Sequence, residues 1–233
     1  MVEKTNDFWK DSWEQHWSSY LSTPPHQGPC LELLFPNKSW SILEMAGGTM
    51  RDSAYLAGTG RTVTGSDYLP EAAARARETH KAAMEIITLD AFQTGLQPDA
   101  FDITYHNGLW VLFSKDEDIR KMAAEQARIT RKYMVATVHC AHNQKYKDDF
   151  RERANSDDLY NLRFFEIDEV RAFCEPYGET LVLPCGSPLT YQLVGGWRWG
   201  RLPRALRRWL YIHAGPRTSP AEWHRIMVVT HLG

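Results

Sequence analysis

The chain of 233 residues has few cysteines, no long apolar run and no excess of basic charge. Its four cysteines, Cys30, Cys140, Cys174 and Cys185, form no CxxC pair and no zinc-type spacing, so reduced thiols are expected. A formal net charge of −2 lacks the basic excess of nucleic-acid binders, and no nucleic-acid partner is expected. No signal peptide is visible, and no apolar run approaches the ~18 residues of a membrane span. A cytoplasmic protein without stable membrane insertion is therefore expected.

The most informative stretch runs from Ser41 to Asp67. It begins with a short apolar run that carries one acid, Glu44, and continues through a small-residue turn, Ala-Gly-Gly, at 46–48. A helical pattern follows, and a second β-like run over 62–65 leads to Asp67. Strand, tight turn, helix, strand and acid in this order are typical of a nucleotide-binding βαβ unit. The turn allows close approach of the backbone, and the final acid can accept both hydrogens of a ribose diol.

Strand and helix patterns alternate along the rest of the chain. Helices are predicted at 70–81, 115–130 and 167–177, and strands at 85–89, 101–106, 133–139, 179–184 and 225–231. This alternation predicts an α/β fold in which helices cover both faces of a parallel sheet. The length favours a single domain 1–233. We divide it into an N-terminal helical lid and link (1–29), a core (30–185), an insertion or cap (186–222) and a last strand (223–233).

An aromatic stripe marks the first predicted helix, residues 5–21. Its members, at spacings of four, four and three, are Trp9, Trp13, Trp17 and Tyr20. This spacing places them on one helix face, with Asn6 or Asp7 as the N-cap, and a Pro/Gly-containing link at 23–29 follows. Such a stripe either packs in the core, which is favoured for Trp13 and Trp17, or forms a lid that excludes water from a neighbouring site.

The order of these signals resembles the class I S-adenosylmethionine-dependent methyltransferases, in particular the small bacterial type with an N-terminal helical lid. The resemblance covers residues 40–140 well and the remainder only in its strand–helix order. It implies a Rossmann-like three-layer sandwich with a mostly parallel seven-stranded sheet and helices on both faces. It also implies S-adenosyl-L-methionine as cofactor and methyl transfer to a hydroxyl or amine of a small-molecule acceptor.

In that family the cofactor is bound at the carboxyl ends of successive strands. The resemblance implies that Glu44 reaches the methionine amino group, Asp67 binds the ribose hydroxyls and Asp90 accepts from the adenine amino group. Each of these acids follows a predicted strand, at the edge where open α/β sheets bind their ligands. Further cofactor contacts are implied for Ala46, Gly47, Gly48, Arg51, Tyr68, Ala91, Asn107 and Tyr20, with Arg51 and Tyr20 directed to the cofactor carboxylate.

The turn departs from the family pattern Gly-x-Gly-x-Gly at its first and third positions, Ala46 and Met50. Alanine fits the first position if its φ stays negative. Methionine at the third position puts a long thioether where backbone commonly runs past the cofactor. Met50 therefore packs on the ligand or on the lid helix, or the turn is reshaped.

Three histidines at the ends of predicted strands are candidate bases: His106, His139 and His142. Imidazole titrates near neutral pH and can take a proton from a hydroxyl or amine nucleophile. His139 is preferred to His106, because the end of the fifth strand commonly faces the acceptor in the resembling family. Proximity can carry much of the rate without a base, and no metal-ligand spacing accompanies the histidines.

The segment 198–211 is basic and aromatic. It is either a solvated helix that packs Leu206, Trp209 and Leu210 on the core, or a lid or lipid-surface element. Aromatic residues here and in the N-terminal stripe favour a flat or partly apolar acceptor, whereas the arginines could bind an anionic group. The additional residues concerned are Trp197, Arg198, Trp199, Arg201, Arg204, Arg207, Arg208 and Tyr211.

Two alternative functions stay open beside methyl transfer. A non-catalytic S-adenosylmethionine-binding protein finds its best support in Met50 of the turn. A nicotinamide-dependent oxidoreductase would need Gly-x-Gly-x-x-Gly, where this chain has Ala46, Gly48 and Arg51, and it would leave Glu44 unexplained. The acceptor, the choice between oxygen and nitrogen, and the oligomeric state are not determined by the sequence.

Overall fold

The computed structural model of the chain describes residues 4–81, 83–194 and 201–233. Its strands are β1 (Ile42–Met45), β2 (Val63–Asp67), β3 (Glu85–Thr88), β4 (Phe101–Asn107), β5 (Thr130–His139), β6 (Glu179–Cys185) and β7 (Arg225–His231). In the described residues they form a seven-stranded sheet with the order β3-β2-β1-β4-β5-β7-β6. Strands β1 to β5 are parallel, and β7 is antiparallel to β5 and β6. The predicted mostly parallel sheet is confirmed.

The helices are α1 (Asn6–Ser22), α2 (Gln27–Leu34), α3 (Arg51–Gly58), α4 (Pro70–His80), α5 (Asp116–Ile129), α6 (Gln144–Ala154), α7 (Ile167–Cys174), α8 (Pro188–Val194) and α9 (Arg204–Ala214). The predicted helices and strands are present, with ends displaced by at most a few residues. Helices α2, α6 and α8 were not predicted, and α2 begins inside the expected link. The side chain that caps α1 is Thr5, whose hydroxyl accepts from the Phe8 amide, rather than Asn6 or Asp7.

Two apolar cores lie on the two faces of the sheet, which makes the described fold a three-layer sandwich. Alternate residues of β5 enter different cores: Met134, Ala136 and Val138 pack on one side, and Val135 packs on the other. Because successive side chains of a strand point to opposite faces, the register of each strand decides which side chains share a face. Glu44, Tyr105, Asn107, Thr137 and His139 therefore share one face.

The antiparallel direction of β7 determines which of its residues lies at the carboxyl edge of the parallel strands. Its first residue, Arg225, pairs with His139 at the end of β5 and with Cys185 at the end of β6. An arginine at the start of β7 is thus placed at the carboxyl edge of the parallel strands. The chain also changes direction across the sheet between β1 and β4, where ligands bind in open α/β sheets.

Candidate active site

A cavity of about 170 Å³ lies at this carboxyl edge, between the ends of the central strands and α1. It is lined from β1 and the following turn by Glu44 and residues 46–49, and from β4 and β5 by Asn107 and His139. Helix α1 covers it with Trp9, Trp13 and Tyr20, and further lining residues are Arg51, Asp52, Leu112, Phe150, Leu159, Leu162 and Arg225. Seven of the eleven expected cofactor residues line the cavity together with the favoured candidate base, His139.

Glu44 is held in a buried hydrogen-bond chain. Its side chain is 2% exposed, and its Oε2 accepts from the Ser53 hydroxyl at 2.5 Å and from the Ser53 amide at 3.2 Å. The Ser53 hydroxyl lies 2.9 Å from that of Tyr105. Burial, and then the charge of Asp52, raise the pKa of Glu44 to about 8 although these hydrogen bonds favour the ionised form. Glu44 therefore holds a proton at neutral pH until a cation approaches it.

The turn after β1 is more strained than expected. Ala46 has a φ of 53°, so the condition of a negative φ, under which alanine fits this position without strain, is not met. The Gly47 amide donates to the Ser66 carbonyl at 2.7 Å, which ties the turn to the end of β2. The left-handed region costs an alanine roughly 1–2 kcal/mol. Strain of this kind persists where the surrounding structure enforces it, and it is common at ligand sites.

Met50 does not face the cavity. Its side chain is completely buried and packs in a cluster with Trp17, Leu69 and Ala73. A Cβ added at Gly65 would lie 2.6 Å from the Met50 sulfur, so the absence of a side chain at Gly65 makes the space for it. Of the three expectations for Met50, packing on the first helix is the one observed. Met50 in the turn was the best support for a non-catalytic protein, and its packing in this cluster explains why a methionine is found there.

Asp67 is fixed beside the turn. One carboxylate oxygen accepts from the Gly48 amide at 2.9 Å and the other from the Leu69 amide at 3.0 Å. The side chain is 7% exposed, and burial raises its pKa against these backbone hydrogen bonds. Asp67 does not line the cavity, because the first helix lies over the neighbouring turn.

Helix α1 is closed over the glycine turn, and we call it the lid helix. The Trp13 ring lies on Gly48, where an added Cβ would meet the ring carbon Cη2 at 2.4 Å. Two arginines from neighbouring helices hold the lid helix in place. Arg75 of α4 donates to the Trp13 carbonyl at 3.2 Å, and Arg51 of α3 donates to the Tyr20 carbonyl at 2.8 Å. Trp17 is 3% exposed and belongs to the core, as favoured. Trp13 instead covers the site.

The residues expected around the adenine lie on the far side of Trp13. Tyr68 is half exposed and Ala91 is buried, and neither lines the cavity. The Asp90 carboxylate accepts from the Phe92 amide at 2.8 Å, which makes Asp90 a turn residue in this structure. Their contacts with a cofactor remain predictions that require the lid helix to move.

A buried network around Asp52 was not predicted. Asp52 Oδ1 accepts from the amides of Gln27 and Gly28 at 2.9 and 2.7 Å, at the start of α2. Its Oδ2 accepts from Asn107 Nδ2 at 3.0 Å. Gln27 Nε2 continues the network by donating to the Thr137 hydroxyl at 2.7 Å. Asp52 thus fastens the link after the lid helix to the ends of β4 and β5.

His106 is misplaced for catalysis, and its assignment as a base is corrected. The strand alternation turns it away from the face of Asn107, and it is 0% exposed and packs on Trp110 with ring centroids 4.8 Å apart. Burial lowers the pKa of His106 to about 3. It does not line the cavity, so it has no access to an acceptor there.

His139 lines the cavity as expected. It is 5% exposed, and its ring is surrounded by Phe150, Tyr146 and Phe164 at centroid distances of 4.7, 5.4 and 5.2 Å. Burial, and then the charge of Arg225, lower the pKa of His139 well below its usual value. The imidazole is neutral at physiological pH and can accept a hydrogen bond. His142 lies outside the cavity, with its Nε2 2.9 Å from Glu166.

The basic helix α9 is mainly structural. Arg204 pairs with Glu32 at 3.1 Å, and Arg207 and Arg208 donate to the Leu193 and Leu34 carbonyls at 3.0 and 2.7 Å. The expected packing of Leu206 and Trp209 on the core is wrong, since they are 42% and 56% exposed. Leu210 packs against the core as expected, and Tyr211 is buried. Arg201 is exposed, and Trp197, Arg198 and Trp199 lie outside the described residues.

Residues 42–133, from β1 into β5, match the methyltransferase domain family. This match contains the strained turn and the acids at the ends of β1, β2 and β3. This segment of the chain is therefore similar to methyltransferase domains. No curated protein matches the sequence. The dehydrogenase-type dinucleotide fold has the strand order 3-2-1-4-5-6, whereas the described sheet has the antiparallel β7 between β5 and β6.

Solved structures of similar fold span almost the whole chain. An S-adenosylmethionine-dependent methyltransferase from Thermotoga maritima is 14% identical, with a TM-score of 0.59 over 99% of this chain and 97% of the other. A TehB-like methyltransferase from Corynebacterium glutamicum is 13% identical, with a TM-score of 0.61 over 98% and 100%. A Haloferax volcanii protein from a complex with a methyltransferase activator is 14% identical, with a TM-score of 0.63 over 100% and 97%.

Neither a membrane-spanning helix nor a metal site is found in the described part of the chain. Among residues 4–81, 83–194 and 201–233, no helix combines the length and apolar character needed to cross a membrane. The same ranges contain no group of three or more His, Cys, Asp and Glu side chains placed to hold a metal ion.

Proposed function

We propose that this chain is a methyltransferase that transfers the methyl group of S-adenosylmethionine to a hydroxyl or amine of a small-molecule acceptor. The observation that carries the proposal is the cavity under the lid helix, in which Glu44 and the strained turn on one side face His139 on the other. This joins a cofactor end and an acceptor end in one water-excluding space. A cytoplasmic location and the absence of a nucleic-acid partner stay predictions.

The cofactor end is built from charges that match a methionine group. Glu44 lies at the end of β1, where its ionised form stabilises an ammonium group. Arg51 lines the cavity beside it and supplies a cation for a carboxylate. Asp67 holds the Gly48 amide and keeps lone pairs free for two ribose hydroxyls once Trp13 has moved. Asp90 and Tyr68 are proposed to contact the adenine in that open arrangement.

The acceptor end combines one polar group with apolar walls. When bound, the cofactor supplies an activated methyl on a sulfonium centre. His139 Nδ1 has no hydrogen-bond partner within the described ranges, and a neutral imidazole there orients the acceptor hydroxyl or amine by accepting its hydrogen. Leu112, Phe150 and Leu159 line the same space and exclude water. Proximity and alignment account for most of the rate, and the proton leaves the acceptor toward His139 or solvent.

A methyl-transfer screen with labelled cofactor against metabolite pools tests the proposal. Label is expected in a small molecule, and His139→Gln should reduce turnover, whereas the exposed His142→Gln serves as the matched control and should not. A protein that binds the cofactor but labels nothing in any pool would contradict the proposed transfer and favour a non-catalytic binding protein.

A further inference from the structure

Arg225 is a charged residue of the acceptor end that the proposed methyl transfer does not use. It lies opposite His139 in the antiparallel pairing of β5 with β7. It also lines the cavity. Met227 and Val229, two and four residues later, belong to the core on the face of Glu44 and Asn107. Arg225 therefore extends from that same face of the sheet, next to His139.

The guanidinium of Arg225 makes no hydrogen bond and no ion pair among the described residues, and its Nε is buried without a partner there. Burial lowers the pKa of Arg225, but the neighbouring Tyr146, Cys185 and Asp52 raise it overall, so the charged form is retained. Both Asp52 oxygens are engaged, by the α2 amides and by Asn107, so Asp52 acts on Arg225 only through space. A partly buried guanidinium whose donors lack partners is suited to an anionic ligand.

The charge of Arg225 lowers the pKa values of two neighbouring histidines. Burial, and then Arg225, lower the pKa of His26 to about 4. The same two causes lower the pKa of His139. A positive field thus extends over the acceptor end of the cavity. An anion bound there would remove the penalty that Arg225 imposes on a protonated His139.

The cofactor does not account for this charge. Its single carboxylate is provided for by Arg51, which lies beside Glu44 and the glycine turn. Phe150 lines the cavity with its ring centroid 4.7 Å from that of His139, and behind this lining the Tyr146 ring stacks on His224 with centroids 4.9 Å apart. Aromatic walls fit a flat ring, and a guanidinium fork fits a carboxylate or phosphate.

We propose that Arg225 binds an anionic group, a carboxylate or phosphate, of an aromatic acceptor whose hydroxyl or amine is presented to His139. This inference rests on the proposed methyl transfer and names its substrate class. Arg225 binds the anion, the ring lies against Phe150, and the nucleophile is directed toward the cofactor end.

The test uses benzoate and phenyl phosphate as anionic probes and benzamide as the neutral match. Each is titrated by ligand-observed NMR into the full-length protein, with and without S-adenosylhomocysteine. At least one anion should bind about tenfold more tightly than benzamide. Arg225→Gln should abolish that preference and Arg225→Lys should keep part of it, while the exposed Arg151→Gln is the control and should change nothing.

Three results would overturn the inference. Equal binding of anions and benzamide to the wild-type protein would show that the site does not select anions. A preference that survives in a folded Arg225→Gln variant would place the anion elsewhere. Loss of affinity for S-adenosylhomocysteine in Arg225→Gln, by the same factor as for the anions, would assign Arg225 to the cofactor carboxylate. If S-adenosylhomocysteine itself fails to bind the wild-type protein, the proposed function fails, while the anion preference is still read from the cofactor-free titration.

Discussion

Replacing Glu44 by glutamine should stabilise the ligand-free protein while weakening cofactor binding. Glutamine keeps an acceptor oxygen for Ser53 and removes the buried carboxyl whose pKa is raised from 4.5 to about 8. A carboxyl whose pKa is raised on folding binds its proton more tightly in the native state. Its presence therefore costs stability as the pH rises from the unfolded value of the pKa to the folded value.

The size of the effect follows from the same pKa. The penalty is small near pH 4.5, grows by about 1.4 kcal/mol per pH unit, and levels off above pH 8 at no more than about 5 kcal/mol. Between about pH 5.5 and about pH 8.5, the advantage of Glu44→Gln in free energy of unfolding should grow by at most about 3 kcal/mol.

Urea unfolding of wild-type, Glu44→Gln and Glu78→Gln protein at these two pH values measures the effect. Glu78 is exposed on α4 and serves as the control. Cofactor binding is measured by calorimetric titration with S-adenosylhomocysteine near pH 7. Buffers of different ionisation enthalpy give the number of protons released on binding. Wild type should release up to one proton on binding, because an ammonium group favours the ionised Glu44, and Glu44→Gln should release none and bind about 10- to 100-fold more weakly. A pH-independent stability difference, or unchanged affinity, would refute the reasoning.

Three further predictions concern packing and access. Trp13→Ala should open the cover over Gly48 and speed both association and release of S-adenosylhomocysteine in stopped-flow fluorescence; unchanged rates would show that the lid helix does not gate the site. Gly65→Ala should lower the free energy of unfolding by about 1–3 kcal/mol, because its Cβ meets Met50, and Met50→Ala in the same chain should restore part of that loss in a double-mutant cycle. His106→Gln, where it folds, should leave turnover on an identified acceptor within about twofold; a specific loss of kcat would return His106 to the mechanism.

The βαβ signals predicted the positions of Glu44 and Asp67 in the fold, at the ends of β1 and β2. An acid before a small-residue turn and an acid closing the next strand need only local sequence, and Glu44 and Asp67 lie where those signals put them. The choice between His106 and His139 was not open to the same reasoning. Strands buried on both faces read as continuous apolar runs, so the sequence does not tell which face of β4 or β5 meets the ligand.

The acceptor end depends on contacts that are distant in sequence. Asp52 follows the turn directly, yet its partners come from α2, a helix formed inside an apparent Pro/Gly link. Arg225 reaches the ligand edge only because β7 runs antiparallel to β5 and β6. The sequence pattern of a strand does not show whether it is parallel or antiparallel to its neighbours. A parallel β7 would have placed Arg225 at the opposite edge of the sheet, far from His139.

The central claim is that the carboxyl edge of β1 and β2 binds S-adenosylmethionine through Glu44 and Asp67. Calorimetric titration of S-adenosylhomocysteine into wild-type and Asp67→Ala protein tests it most directly, with circular dichroism and the unfolding midpoint confirming that the variant is folded. Saturable binding of one ligand per chain is predicted, weakened about 10- to 100-fold in the variant by the loss of charge-assisted hydrogen bonds to the ribose. No binding to the wild-type protein, or equal affinity in the folded variant, would contradict the claim.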